Sequence, residues 1–271
     1  MTSGFDGKVA FVTGAARGQG RAHCVALARA GADIVAQDLA RPLPGVPYDS
    51  PTSADLDETV KLVEAEGRRI VVEQGDVRDL DHLKGLAQRG VDELGRIDVV
   101  VANAGICIPA PWNEITPDIL RDTLDINVVG VWNTVMATAS HMAAGGGGSI
   151  ILISSYAGKK VQPFMVPYAT SKHAVTGMTR AFAAELGPLG IRVNSIHPGG
   201  VNTPMGSGDM QVRLAAAGET NPRLNNMGTP FLDTYAAEPE QISDAVLFLA
   251  SAASSFVTAE HLSVDGGAQY F

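Results

Sequence analysis

The chain has 271 residues, of which 45% are hydrophobic and 18% charged, a balance typical of a folded protein with a large buried core and not of a disordered one. Its net charge of −9 argues against nucleic acid or an anionic membrane as a partner, since phosphate groups would be repelled. The two cysteines are far apart, and no His or Cys cluster has ligand spacing, so neither a disulfide nor a metal site is expected.

Short apolar runs alternate with longer segments of helical periodicity along the chain. The predicted strands are 9–12, 34–36, 70–72, 99–101, 150–153, 193–196 and 262–264, and the predicted helices are 20–30, 55–66, 80–94, 117–142, 168–186 and 242–250. Continuous apolar strands are expected where helices cover both faces of a parallel sheet. The pattern predicts a single-domain, doubly wound α/β fold with about seven strands spanning residues 1–271.

Two segments interrupt this alternation. Residues 39–52 hold four prolines and are predicted to form an ordered loop, called here the insertion. Residues 201–239 are weakly periodic and rich in Gly and Asn. Loops of that length are usually functional lids or disordered segments, and the sequence leaves both possibilities open.

A glycine-rich turn, TGAARGQG at 13–20, joins the first strand to the first helix. A bound pyrophosphate needs backbone nearby, free N–H donors and a helix N-terminus. Because glycine has no Cβ, Gly14, Gly18 and Gly20 let the pyrophosphate come close to the backbone. Arg17 and Gln19 lie between these glycines. The spacing is GxxxGxG and not the commoner GxGxxG, so a tight turn without a ligand stays open as an alternative.

The second strand ends at Asp38, followed by Leu39, 18 residues after Gly20. In dinucleotide-binding folds a carboxylate at about this distance accepts hydrogen bonds from the adenosine ribose. A carboxylate would repel a 2′-phosphate, which favours NAD over NADP. Arg17 and Arg41 keep NADP open, because either could pair with that phosphate.

Four polar motifs then follow in a fixed order. One YxxxK pair alone is weak evidence, but the ordered set is specific. The motifs are Asn103-Ala104-Gly105 after the fourth strand, Asn127 in the next helix, Ser154-Ser155 after the fifth strand, and Tyr168 and Lys172 in a later helix. Together with the glycine turn, 194–199 (NSIHPG) and 264–267 (VDGG), they resemble the short-chain dehydrogenase/reductase family over the whole chain.

This resemblance implies a Rossmann-like, NAD-dependent oxidoreductase acting on an alcohol or ketone. The implied catalytic residues are Asn127, Ser155, Tyr168 and Lys172. The implied cofactor-binding residues are Gly14, Arg17, Gly18, Gln19, Gly20, Asp38, Leu39, Asp76, Val77, Asn103, Ala104, Gly105, Tyr168, Lys172, Pro198, Gly199, Val201 and Thr203. Among these, Asp76 would contact adenine and Thr203 the nicotinamide carboxamide, although a helix-capping acid and a plain loop threonine remain alternatives.

The chemistry of oxidising an alcohol suits these residue types. Tyr168 and Lys172 share one helix face, a turn apart. A free tyrosine has a pKa of ~10, and a nearby ammonium with a positive nicotinamide is expected to lower it, which makes Tyr168 the predicted acid/base. Ser155 matches the family spacing and would hold the substrate oxygen, with Ser154 as the competing choice. By resemblance, Asn127 would anchor a water linking Lys172 to solvent.

A narrower resemblance is to the carveol dehydrogenase-like, mycofactocin-coupled branch of the family. It is carried by Arg41-Pro42, 45–48 (GVPY), 59–64 (TVKLVE) and 200–205 (GVNTPM). It implies that the insertion lies near the cofactor, that NAD is held tightly, and that mycofactocin re-oxidises it in place. Residues 206–235 depart from the branch, so the substrate stays open.

The remaining candidate residues have no spacing that assigns them a role in the site. His23, His173 and His197 share no ligand spacing and are interpreted as structural, and no base partner for Cys107 is evident. A pocket, a core position or an interface position stays open for Trp112, Met205 and Met210.

Two other functions compete with an alcohol dehydrogenase for a hydrophobic, terpenol-like substrate. One is an NADPH-dependent ketone or 3-oxoacyl reductase, and the other is a non-catalytic nucleotide sensor. The complete set of four catalytic residues argues against the sensor. The family implies a homotetramer. Because no signal peptide and no apolar run of ~20 residues is visible, a cytoplasmic protein without membrane contact is expected.

Overall fold

The computed structural model describes residues 4–271 and contains a seven-stranded parallel sheet. The strands are β1 (Val9–Thr13), β2 (Asp33–Asp38), β3 (Ile70–Gln74), β4 (Val99–Ala102), β5 (Gly148–Ile153), β6 (Ile191–Pro198), β7 (Gly200–Val201), β8 (Ala236–Ala237) and β9 (His261–Val264). Seven of them pair in the order β3-β2-β1-β4-β5-β6-β9, while β7 and β8 form a separate pair. The predicted α/β sheet of about seven parallel strands is confirmed.

Helices cover both faces of the sheet. They are α1 (Gly18–Arg29), α2 (Ser53–Ala65), α3 (Leu80–Leu94), α4 (Pro117–Leu124), α5 (Gly130–Ala144), α6 (Val166–Leu186), α7 (Asp209–Thr220) and α8 (Pro239–Ala250). In β1, Val9 and Phe11 join a buried cluster with residues of α3, α5 and α6, whereas Ala10 and Val12 join a second cluster with α1 and α8. Since successive side chains of a strand point to opposite faces, both faces are buried, which accounts for the continuous apolar runs.

The helix predicted at 117–142 is divided in two. Between α4 and α5 lies one π-helical turn, Asp125–Val129, which contains Asn127. A π turn adds a residue to the hydrogen-bonded ring, and such turns are frequent at functional sites. Apolar periodicity could not predict it, because a π turn of five residues is shorter than the window over which helical periodicity is recognised.

The segment 201–239 has more regular structure than expected. It contains the three-turn helix α7, and β8 returns to pair with β7. Four predicted helix starts are also late, since α1 begins at Gly18, α2 at Ser53, α6 at Val166 and α8 at Pro239. Pro167 lies in the first turn of α6, where its missing N–H costs no hydrogen bond. Within residues 4–271, no helix is long and apolar enough to cross a bilayer.

The first prediction concerns the core beneath the sheet. Leu86 of α3 is fully buried, so Leu86→Ala should lower the free energy of unfolding by about 2–5 kcal/mol through lost burial and the cavity left behind. Urea denaturation measures this change. The matched control is Leu189→Ala, whose side chain is 49% exposed and should cost less than about 0.5 kcal/mol. Equal losses in the two variants would contradict this assignment of the core.

Candidate active site

A cleft opens at the carboxyl ends of the central strands. The strand order reverses at β1, whose neighbours are β2 on one side and β4 on the other. In open α/β sheets this reversal leaves a crevice in which ligands bind. Gly14, Asp38, Asn103 and Ser154, which directly follow or end β1, β2, β4 and β5, all line the cleft.

The glycine turn has backbone conformations that residues with a side chain rarely adopt. Gly14 and Gly18 have φ values of +70° and +54°. A Cβ on Gly20 would lie 1.9 Å from the Gly14 carbonyl oxygen, so any side chain there would displace the turn. The N-cap of α1 is Arg17, which carries only donors and therefore cannot cap the first N–H groups. The turn thus presents backbone donors and a helix N-terminus to the cleft.

Asn103 holds this turn against the end of β4. Its Nδ2 donates to the carbonyl oxygens of Thr13 at 3.0 Å and Gly14 at 3.3 Å. In return the Thr13 hydroxyl oxygen accepts the backbone N–H groups of Asn103 and Ala104 at 3.1 and 3.2 Å. Asn103 therefore has a structural role in addition to its position on the cleft wall.

Asp38 stands at the end of β2 with a buried carboxylate. Its two oxygens accept the backbone N–H groups of Ala16 and Ala40, both at 2.9 Å. Burial raises the pKa of Asp38, although these two donors favour the charged form. Each oxygen keeps a further lone pair, so the carboxylate can still accept hydrogen bonds from a ligand in the cleft.

The arginines near Asp38 already have partners. The guanidinium of Arg17 donates to the carbonyl of Asp49, and that of Arg41 lies 3.8 Å from the carboxylate of Asp76. Arg78 also pairs with Asp76, at 2.6 Å. Burial works against the charged form of Asp76, but the hydrogen bonds from Arg78 outweigh it and lower the pKa of this carboxyl.

Tyr168, Ser155 and Lys172 meet at the end of β5. The Ser155 hydroxyl lies near enough to Tyr168 to favour its tyrosinate form, and the Lys172 Nζ lies 5.5 Å from the centroid of the tyrosine ring. The same Nζ donates to the Ile153 carbonyl at 2.9 Å. Burial lowers the pKa of Lys172 to about 8 and raises the pKa of Tyr168. The expected lowering of the tyrosine pKa involves both Lys172 and a positive nicotinamide and stays a prediction; in the protein alone, burial raises the pKa of Tyr168.

The two candidate serines have different contacts. The Ser154 hydroxyl donates to the Lys172 carbonyl at 3.0 Å and so helps to fix α6. The Ser155 hydroxyl oxygen accepts the Ala157 N–H at 3.1 Å. Ser155 acts to lower the pKa of Tyr168, whereas Ser154 lines the cleft.

Asn127 is fully buried behind the cleft, and its side chain is hydrogen bonded to the loop that follows β4. Its Oδ1 accepts the Ile106 N–H and its Nδ2 donates to the Ile106 carbonyl, both at 2.8 Å. The Nδ2 also donates to the Ser171 hydroxyl at 3.1 Å. Asn127 thereby connects the π turn to the cleft wall and to α6.

Most of the predicted cofactor residues come together. Those that line the cleft are Gly14, Arg17, Gly18, Gln19, Gly20, Asp38, Leu39, Asp76, Val77, Asn103, Ala104, Gly105, Tyr168, Lys172 and Thr203. Pro198, Gly199 and Val201 lie outside this lining. Pro198 pairs with Val264 in the sheet, and Val201 packs against the buried cluster around α1 and α8.

A buried histidine supports Ser155 from behind. The Ser155 carbonyl can only accept, so His197 Nδ1, at 2.7 Å, carries the proton. Burial lowers the pKa of His197 to about 3, which keeps the ring neutral and leaves Nε2 to accept from the Ser195 hydroxyl at 2.8 Å. The structural interpretation of His197 agrees with this geometry, but no sequence spacing connected it to Ser155.

An apolar cluster adjoins Tyr168 on the other side. Its buried members are Cys107, Met165 and Met210, and Tyr48, Tyr168, Met205 and Leu214 pack against them. Sequence reasoning missed Tyr48 and Met165, since nothing in their spacing relates them to the site. Trp112 is 82% exposed and lies outside the cleft, so the pocket alternative for this residue is wrong.

Comparison with known proteins agrees with this geometry. A family model described as enoyl-(acyl carrier protein) reductase matches residues 14–269. The chain is 40% identical over 269 residues to (−)-trans-carveol dehydrogenase of Rhodococcus erythropolis, covering 97% of both chains. A short-chain dehydrogenase of Mycobacterium paratuberculosis, solved bound to NAD, is 58% identical with a TM-score of 0.98, covering 99% of this chain and 100% of that one.

A second solved structure extends the likeness. Carveol dehydrogenase of Mycobacterium avium, in complex with NAD, is 43% identical with a TM-score of 0.93, covering 100% of each chain. These matches span the glycine turn, the cleft and the residues around Tyr168 together. The chain belongs to the short-chain dehydrogenase/reductase family.

Proposed function

We propose that this protein interconverts a hydrophobic secondary alcohol and its ketone, with Tyr168 as acid/base. The observation that carries the proposal is that Tyr168 lies beside Ser155 and Lys172, at a cleft that the glycine turn also lines. The oxidoreductase is NAD-dependent, in keeping with the NAD bound in two structures similar to it.

The residues present fit NAD. The Gly20 position has no room for a Cβ, as expected of a turn that admits a pyrophosphate at close range. We propose that Gly14, Arg17, Gly18, Gln19 and Gly20 hold this group. Asp38 and Leu39 would hold the adenosine ribose, Asp76 and Val77 the adenine, and 103–105 the middle of the dinucleotide. Lys172 and Thr203 would fix the nicotinamide end, with Pro198, Gly199 and Val201 supporting it from behind.

When bound, NAD supplies the acceptor for the hydride that leaves the alcohol carbon. Tyr168 would take the hydroxyl proton at its phenol oxygen, while the Ser155 hydroxyl holds the substrate oxygen opposite. Burial raises the pKa of Tyr168, so tyrosinate needs positive charge nearby, which Lys172 and the oxidised nicotinamide provide. Both amide hydrogens of Asn127 are used, so a water linking Asn127 to Lys172 would donate its hydrogen bond to Asn127.

The substrate class follows from the wall beside Tyr168. The side chains of the apolar cluster there carry no formal charge, which suits a compact hydrocarbon skeleton such as a terpenol. The likeness to two carveol dehydrogenases supports the same class. An NADPH-dependent reductase is disfavoured, because Asp38 faces the cleft and the nearby Arg17 and Arg41 already have oxygen partners.

The proposal also covers the domain organisation, location, cofactor retention and assembly of the protein. We propose one domain over residues 1–271, a cytoplasmic location, and tightly held NAD that mycofactocin re-oxidises. We also propose a homotetramer, since Val129, Trp132 and Met136 are more than 40% exposed at helical spacing along one stretch of chain.

The second prediction tests the glycine turn. In Gly20→Ala the new Cβ meets the Gly14 carbonyl at 1.9 Å, so the turn should shift and affinity for added NAD should fall at least about tenfold. Titration with NAD measures this affinity. The control is Gly85→Ala, an exposed glycine of α3 whose Cβ would have open space. Unchanged NAD affinity in Gly20→Ala would contradict the proposed phosphate site.

The third prediction tests the acid/base. Tyr168→Phe should lower the turnover of a secondary alcohol at least about a hundredfold, because a phenyl ring cannot carry the proton, while NAD remains bound. Steady-state rates and nucleotide content are measured together. Tyr270→Phe changes a tyrosine that is 76% exposed and should keep the wild-type rate. Near wild-type turnover in Tyr168→Phe would overturn the mechanism.

The fourth prediction concerns cofactor retention. Freshly purified protein should release close to one NAD per chain when it is denatured, because the insertion lies along the cleft. Mass spectrometry of the released nucleotide measures this ratio. Protein that carries no nucleotide but turns over with added NAD would overturn the mycofactocin proposal and leave an ordinary exchanging dehydrogenase.

A further inference from the structure

Tyr48 connects the insertion to both sides of the candidate active site. Its side chain lines the cofactor cleft and also packs in the apolar cluster with Cys107, Met165 and Tyr168. No other residue of 39–52 belongs to both. The ring of Tyr48 therefore stands between the cofactor side and the proposed substrate side.

The Tyr48 hydroxyl holds the loop that follows β4. The backbone N–H of Cys107 donates to the Tyr48 oxygen at 3.2 Å. At the preceding residue, Ile106, both backbone polar groups are bonded to the side chain of Asn127. Two consecutive residues of this loop are thus fixed by side chains from distant segments, one from the insertion and one from the π turn.

The insertion is itself anchored on the carboxyl-terminal side of Tyr48. The carbonyl of the next residue, Asp49, accepts from the guanidinium of Arg17 in the glycine turn. Three residues further on, Thr52 caps α2, with its N–H and hydroxyl donating to Asp55 at 2.8 and 2.7 Å. Because the backbone that follows Tyr48 is held, its hydroxyl can act as a fixed point for the loop.

The loop matters because Cys107 is a buried neighbour of the reacting groups. Its thiol packs on the Met165 sulfur at 3.5 Å in the cluster that includes Tyr168. A shift of Cys107 would therefore move the wall against which an alcohol beside Tyr168 must fit. Loss of the Tyr48 hydroxyl would leave the Cys107 N–H without its acceptor. Because an unsatisfied, partly buried N–H costs free energy, the loop would rearrange locally.

We propose that Tyr48 is a positioning and specificity-determining residue of this dehydrogenase, which makes the insertion part of the substrate site as well as of the cofactor site. The hydroxyl fixes the loop at Cys107, and the ring limits the size of alcohol that can reach Tyr168. The inference rests on the proposed function for its kinetic test, but the loop contact can be tested without turnover.

The experiment uses the full chain with Tyr48→Phe, Tyr48→Ala and the exposed-site control Tyr270→Phe. The substrates are cyclohexanol as the compact alcohol and carveol as the bulkier one, and an artificial electron acceptor re-oxidises the bound NAD after each turnover. Tyr48→Phe should raise KM for both alcohols about tenfold while kcat stays within about threefold and bound NAD is retained. Tyr48→Ala should raise kcat/KM for carveol relative to kcat/KM for cyclohexanol by about tenfold, because the ring that limits the size of the alcohol is removed. The control should match wild type.

Amide hydrogen exchange supplies the second readout. Exchange in a peptide spanning residues 104–110 should be at least about tenfold faster in Tyr48→Phe than in wild type or the control, because the Cys107 N–H has lost its acceptor. Unchanged exchange and unchanged KM in Tyr48→Phe would overturn the proposal, as would loss of NAD with no change in alcohol preference. If wild type oxidises neither alcohol, the proposed function fails for these substrates, and the exchange result still decides whether Tyr48 positions the loop.

Discussion

The site depends on the hydrogen-bonded contact between Thr13 and Asn103 across the point where the strand order reverses. β1 and β4 lie side by side, but the chain leaves their carboxyl ends in different directions, one into the glycine turn and the other into the loop at 103–108. Four hydrogen bonds of 3.0–3.3 Å from Asn103 and Ala104 to Thr13 and Gly14 hold the glycine turn and this loop together. If this contact opened, the proposed phosphate site and the wall beside Tyr168 would separate.

Burial sets the electrostatics of the reacting groups. Lys172 is buried, and its Nζ has the Ile153 carbonyl as a hydrogen-bond partner, so burial lowers its pKa to about 8. The same burial raises the pKa of Tyr168. Burial alone therefore favours the neutral form of each group. A positive charge added next to both groups favours the tyrosinate form of Tyr168.

How far the sequence could predict the site depends on the range of the contacts involved. The glycine turn, Asp38 and the Tyr168–Lys172 pair are local patterns on single elements, and the structure brings all of them to one cleft. The support of Ser155 by His197 and the bond from Cys107 to Tyr48 join residues 42 and 59 positions apart. No periodicity encodes such pairings, because they arise only when the sheet and the insertion are folded.

The insertion contacts both the proposed cofactor site and the wall of the proposed substrate site. Asp49 is bonded to the glycine turn through Arg17, and the adjacent Tyr48 to the loop beside the apolar cluster. A movement that freed the cofactor would therefore also disturb the substrate wall. Under the proposed function this coupling favours an enzyme in which NAD stays bound while alcohols come and go. The apolar side must then remain accessible to a separate electron carrier, because a retained nicotinamide cannot be re-oxidised by exchange.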